Sequence, residues 1–173
     1  MKILVSLNKN KPKSVPQKSA QIICGFPGIG KTHFFNRQQE LGFTVMDSDS
    51  SKFPKDDFPA NYIKHIEEAR YQCDYLLVSS HDAVRQALVD AGIDFTLVYP
   101  EKNLKVEYMQ RYAKRGSPKE FLTMMNKNWA NFLTSCVEQQ GCTHVVLKAK
   151  QFMSDVIGTQ EKVDEFTADE SQG

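Results

Sequence analysis

Residues 25–32 read Gly-Phe-Pro-Gly-Ile-Gly-Lys-Thr and fill every fixed position of the pattern G-x-x-x-x-G-K-[ST]. The context agrees. The apolar run Gln21-Ile22-Ile23-Cys24 suits a buried strand, and Phe34, Phe35, Gln38 and Leu41 follow near helical spacing. The chemistry explains the residue types. Glycines let backbone N–H groups turn inward around an anion without a Cβ in the way. The helix that follows adds the positive end of its dipole and its unpaired donors. Lys31 has the reach to touch β- and γ-phosphates, and the Thr32 hydroxyl can ligate Mg²⁺. The expected phosphate-binding set is Gly25, Gly28, Ile29, Gly30, Lys31, Thr32 and His33, with the His33 side chain on the helix surface.

Around this loop, short apolar runs alternate with helical patterns. Strands are expected at 21–24, 43–46, 75–78, 95–99 and 144–147. Helices are expected at Thr32 to Leu41, 61–72, a segment around Val84 to Ala91, 103–115, 119–138 and a short 151–157. Strands separated by helices imply an α/β chain whose parallel sheet is covered on both faces. The 173 residues suit a single domain, and no apolar run reaches the roughly 18–20 residues of a membrane span. The N-terminal MKILVSL is too short for a signal-peptide core, so a cytoplasmic location is expected. The four cysteines form no CxxC pair, and neither a metal site nor a disulfide framework is read from them.

Net charge is +1 but uneven: residues 1–20 carry five Lys and no acid, and residues 160–173 carry five acids and one Lys. The middle is therefore neutral, which argues against a nucleic-acid platform. The Lys-rich start and the acidic end are expected to be a solvated arm and a mobile tail.

Three further features narrow the chemistry. Asp47-Ser48-Asp49 follows the second expected strand, at the end where open parallel sheets bind ligands. The two acids can serve a metal and an acceptor, or form a turn that caps the loop. The third strand ends in Val78-Ser79-Ser80, without the acid an ATPase or switch GTPase places there, so the metal falls to Thr32, phosphate oxygens, water and Asp47 or Asp49. Arg111 and Arg115, four residues apart, share a helix face and can clamp a transferring phosphoryl group, although Glu107 offers Arg111 a surface ion pair. Several residues read as packing or capping rather than chemistry. Trp129 is expected in the core, Phe53, Phe58 and Tyr62 either pack or stack on an acceptor ring, and His81 either contacts phosphate or caps a helix.

Taken together, the glycine-rich loop, the D-x-D, the Ser79-Ser80-His81 segment with Arg85 downstream, and the R-x-x-x-R helix resemble the small P-loop kinases. These are the nucleoside monophosphate kinases with their shikimate and gluconate kinase relatives, the phage-type deoxynucleoside monophosphate kinases above all. The resemblance covers roughly residues 20–158. It implies a three-layer P-loop NTPase fold with a five-stranded parallel sheet ordered 2-3-1-4-5 and a helical lid over 104–130. It implies ATP and Mg²⁺ as donor and metal, Thr32 and Asp47 as metal ligands, and a nucleotide acceptor at Asp47, Asp49, Ser80, His81 and Arg85. Arg85 would hold the acceptor phosphate, Lys31, Arg111 and Arg115 would stabilise the transferring group, and Asp49 would orient the acceptor. Two alternatives stay open: a nucleotide-binding regulator with little turnover, and a kinase acting on an alcohol or a polynucleotide 5′-hydroxyl.

Overall fold

The computed structural model describes residues 18–159. The apolar runs become five strands: β1 Gln21–Gly25, β2 Val45–Asp47, β3 Tyr75–Val78, β4 Thr96–Pro100 and β5 Thr143–Leu147. All pair in parallel, in the order β2-β3-β1-β4-β5. The central strands are apolar without alternation because both of their faces are covered: Ile22, Ile23, Cys24, Leu76, Leu77 and Leu97 are all buried. The edge strand β5 is mostly exposed or half-exposed before it reaches buried Leu147.

The connections are α1 Lys31–Glu40, α2 Ala60–Ala69, α3 Asp82–Asp90, and a pair, α4 Lys105–Lys114 and α5 Lys119–Glu138. The step from β1 to β2 runs one way along the sheet, and every later step runs the other way. Right-handed crossovers therefore put α1 on one face and α2, α3 and α5 on the opposite face. Ends are fixed locally. Phe43 N donates to Gln38 O (2.9 Å) and Gly42 N to Gln39 O (3.1 Å), which closes α1. Ile93 N to Leu88 O closes α3 in the same way (3.0 Å).

The structure differs from the sequence reading in four places. The second strand begins two residues late, because Phe43 finishes the α1 closure and packs edge-on against Tyr75 (5.3 Å between ring centroids), and Thr44 bonds Asp74 at the start of β3. The 61–72 helix ends at Ala69. The expected helix at 151–157 is a single 3₁₀ turn, Met153–Asp155, since Phe152 is extended and Gly158 has φ 65°. The segment read as a lid, 104–130, is part of the core: Tyr108, Tyr112, Met125 and Trp129 are buried, and Trp129 packs edge-on to Phe26 beside the glycine-rich loop (5.5 Å). Trp129 Nε1 donates to Lys102 O (2.8 Å). The Lys-rich start and the acidic end lie outside the described residues, save for 18–20 and Thr159. Among the described residues no helix is long and apolar enough to cross a membrane.

Candidate functional site

β1 and β3 are neighbours whose connections leave in opposite directions. A crevice therefore opens beyond their carboxyl ends, where ligands bind in sheets of this kind. The 25–32 loop leaves β1 at that point. Five of its carbonyl groups are tied back by hydrogen bonds. Gly25 O accepts from Lys31 Nζ (3.1 Å), Pro27 O from Tyr112 Oη (2.8 Å), Gly28 O from Arg111 Nη1 (2.8 Å) and Ile29 O from Met153 N (2.8 Å). Gly30 O accepts from Phe34 N (3.0 Å) as the first bond of α1. The amides of Gly28, Gly30, Lys31, Thr32 and His33, by contrast, meet no acceptor among the described residues. With these amides unpaired and five carbonyls tied back, the loop forms a concave nest suited to an anion. Gly28 (φ 88°) and Gly30 (φ 91°) take left-handed conformations, and each is roofed by rings: Tyr108 and Tyr112 over Gly28, Phe152 over Gly30.

Burial holds the Lys31 ammonium below its ordinary pKa, with Asp47 opposing that shift. An anion in the nest would restore the charge to it. Thr32 and His33 are exposed in the first turn of α1, and Ile29 is buried beneath the loop.

At the end of β2, Asp47 and Asp49 are exposed and Ser48 is turned inward. Asp49 Oδ1 accepts from Ser51 N (2.9 Å), so the carboxylate caps its own loop. Bonds from the Ser51 amide and hydroxyl lower its pKa. Tyr62 joins this segment to the end of β3: its hydroxyl donates to Ser48 O (2.6 Å) and accepts from Ser79 N (3.2 Å). His65 adds a bond to the Ser48 hydroxyl (2.9 Å). Neither role is visible in the sequence, because partners 14 to 17 residues apart meet only once β2, α2 and β3 are assembled. Replacing Tyr62 by Phe keeps the ring but strands two backbone groups. The expected cost is about 1–3 kcal/mol in denaturant unfolding, with slower turnover because Asp47–Asp49 loses its register to Ser79.

Beyond β3, Ser79, Ser80, His81 and Asp82 line the same crevice. His81 is the residue preceding α3, and its side chain makes no capping bond. Arg85 is only 3 % exposed. Its guanidinium donates to Ser80 O (2.9 Å), Ser135 O (3.0 Å), Gln139 Oε1 (3.0 Å) and Ser135 Oγ (2.7 Å). All four acceptors are neutral, and one N–H on Nη2 has no acceptor among the described residues. A buried cation without a carboxylate partner is costly, and an anion in the crevice would offset that cost.

The two arginines of α4 diverge. Arg111 lies between the rings of Tyr108 (4.3 Å) and Phe152 (3.9 Å), and bonds Gly28 O, Gln151 O (2.9 Å) and Glu107 (2.9 Å). The ion pair with Glu107 is therefore partly buried rather than a surface pair. Arg115 is exposed, stacks on Tyr112 (5.0 Å) and Phe121 (5.3 Å), and lies near enough to lower the Lys31 pKa. No family model and no curated protein matches this chain.

Gly25, Lys31, Asp47, Asp49, Ser80, His81 and Arg85 share one cleft of about 700 Å³ walled on its far side by α5, whereas Gly28, Ile29, Gly30, Thr32, His33, Arg111 and Arg115 do not line it. Phe53 and Phe58 do not line it. They pack on Tyr62 (5.0 and 5.9 Å). Among the described residues no group of three or more His, Cys, Asp or Glu is placed to hold a metal. The candidate oxygens, those of Thr32, Asp47 and Asp49, are hard and few. They fit a cation such as Mg²⁺, which takes most of its shell from phosphate and water.

Proposed function

We propose that this chain is a P-loop phosphotransferase. On this reading it takes the γ-phosphoryl of ATP and passes it to a small anionic acceptor, a (deoxy)nucleoside monophosphate, in the same cleft. The observation that carries the reading is the run of unpaired amides from Gly28 to His33 beside Lys31, with a second, buried and unneutralised cation, Arg85, across the cleft. Lys31 and Arg85 both line the one 700 Å³ cleft and suit two phosphorylated ligands end to end.

The residues divide the work. The loop amides and Lys31 hold the donor's β- and γ-phosphates in a fixed geometry. Arg111 and Tyr112 keep the loop carbonyls turned away, and Arg85 draws the acceptor's phosphate down from the ends of β2 and β3. The acceptor oxygen bonds to the γ-phosphorus as the β–γ bridging P–O bond breaks, and the leaving oxygen keeps the electron pair. A phosphate acceptor is already anionic, so Asp49 orients it rather than removing a proton. Arg115, exposed just past the end of α4 and bonded to Ser117 Oγ (2.9 Å), is the cation that would turn toward the transferring group. Magnesium, held at Thr32 and Asp47, would supply neutralisation of phosphate charge. Helix α5 already closes one side of the cleft, so exclusion of water needs movement of exposed side chains rather than of a whole lid.

The test is ADP formation from ATP with a panel of nucleoside monophosphates, a sugar alcohol and a 5′-hydroxyl oligonucleotide. Monophosphate-dependent ADP is expected. Turnover confined to the hydroxyl acceptors would move the chain to the alcohol or polynucleotide kinases and make Asp49 a base. ATP binding with no acceptor-dependent turnover would make it a regulator. Within this scheme Arg115→Ala should lower kcat by about 10²-fold with little change in ATP affinity. Arg111→Ala should weaken ATP binding as well, because the loop it braces loses its shape.

A further inference from the structure

The aromatics near the acceptor side of the sheet are already spoken for: Phe53, Phe58, Tyr62 and His65 pack on one another. The opposite wall of the cleft is different. On α5, Met125, Trp129, Leu133 and Cys136 are buried, but Met124 is 42 % and Phe132 37 % exposed, and both line the cleft beside half-buried Phe121, which is itself packed edge-on against Tyr112 (5.1 Å) and under Arg115. Residues 121, 124, 131, 132 and 135 follow helical spacing, so a single face of α5 runs from rings and thioether through the Asn131 amide to Ser135. Ser135 is also where Arg85 is held, through its carbonyl and its hydroxyl.

We propose that this face is the ring-binding half of the acceptor site. It takes a planar aromatic ring with a hydrogen-bonding edge, laid on Met124 and Phe132 with Phe121 at its margin, whose attached anionic group faces Arg85. The inference deepens the phosphotransferase reading and rests on it for the identity of the cleft as the acceptor site. Each part of the wall selects a chemistry. Rings and thioether sulfur favour a flat π-face over a hydroxylated chain. The Asn131 amide, a donor and an acceptor on one group, suits the edge of a heterocycle. Arg85 requires the anion. A sugar phosphate would satisfy Arg85 but leave Met124 and Phe132 in water, and an aliphatic chain would leave Asn131 and Arg85 unanswered.

The experiment uses the full chain with ¹³C-methyl methionine, Met124 and Met125 being assigned by Met→Leu replacement. With a non-hydrolysable ATP analogue saturating the loop, AMP, GMP, CMP, dTMP, ribose 5-phosphate and inorganic phosphate are titrated separately. The Met124 methyl should show a ring-current shift with at least one nucleotide and none with ribose 5-phosphate or phosphate. Phe132→Ala should weaken that nucleotide about tenfold and leave the analogue's affinity within about twofold. A Met124 methyl unmoved by every nucleotide, or ribose 5-phosphate binding as tightly as all of them, overturns the proposal. Its failure is separable from that of the transfer reading. A ring-dependent shift without ADP formation in the panel keeps the pocket and removes the transferase. ADP formed equally fast with ribose 5-phosphate keeps the transferase and removes the pocket.

Discussion

Lys31→Ala should lower phosphoryl transfer by about 10³-fold and leave the protein folded, with a melting temperature equal to or above that of the parent. The two halves of this expectation share a cause. Lys31 makes one hydrogen bond, to Gly25 O, and burial disfavours its charge. Removing the ammonium therefore takes away a cost in the free protein and a contact that matters once phosphate is bound. The pH dependence has a definite sign. Because the folded-state pKa lies below the ordinary 10.5, the unfolded chain binds more protons between the two values. The parent carries the full penalty below the folded pKa and is relieved of it as pH rises toward 10.5, so the stability gap between Lys31→Ala and parent should close on the alkaline side. Phosphate raises the Lys31 pKa again, so ATP affinity should fall over the same alkaline window. Parallel thermal melts and ATP titrations from neutral to alkaline pH check both. Turnover unchanged in the variant would end the assignment of the loop as the donor site.

Gly28→Ala should be the most damaging single methyl in the loop. The new Cβ would stand 2.8 Å from Tyr112 Cε1 and 3.2 Å from Tyr108 Cδ2, in a residue held at φ +88°. Both rings are fully buried and cannot swing aside. Strain and overpacking together cost roughly 2–5 kcal/mol, a drop on the order of 10 °C in a chain of this size. Gly116→Ala is the matched control. Its φ is +81° and nothing lies within 4 Å of the added Cβ, so only the backbone strain of about 1 kcal/mol should register. Equal losses at the two positions would show that the tyrosines yield and that the roof over Gly28 is soft.

The elements of this fold were legible where the signal is local. The Gly25–Thr32 pattern marks a strand–loop–helix junction, the apolar runs at 21–24 and 75–78 mark central strands, and Gly116-Ser117-Pro118 marks the break between α4 and α5. The sheet order came from the resemblance, not from the residues, because strand order is not written in any one segment. The site was less legible, since its partners are distant in sequence. Arg111 and Arg115 look alike on a helix face, yet Arg111 finds Gly28 O, 83 residues away, and Arg85 finds Ser135, 50 residues away. One signal was present and passed over: Leu104, Tyr108 and Tyr112 repeat every four residues, a buried stripe within the segment read as a lid. Asp49 satisfied the turn reading in part, because one of its oxygens caps Ser51.

Arg111 bridges three stretches of chain: the 28 turn, the 107 carboxylate on its own helix, and the 151–152 segment after β5, where Lys150 N also bonds Glu107 (3.1 Å). Such a knot has a history as well as a shape. A lineage that loses the guanidinium strands two carbonyls and leaves the Glu107 charge without its cation, so positions 107, 111 and 152 should drift as a set. Their joint substitution pattern across related genomes would record how this molecule has been rebuilt without ever being taken apart.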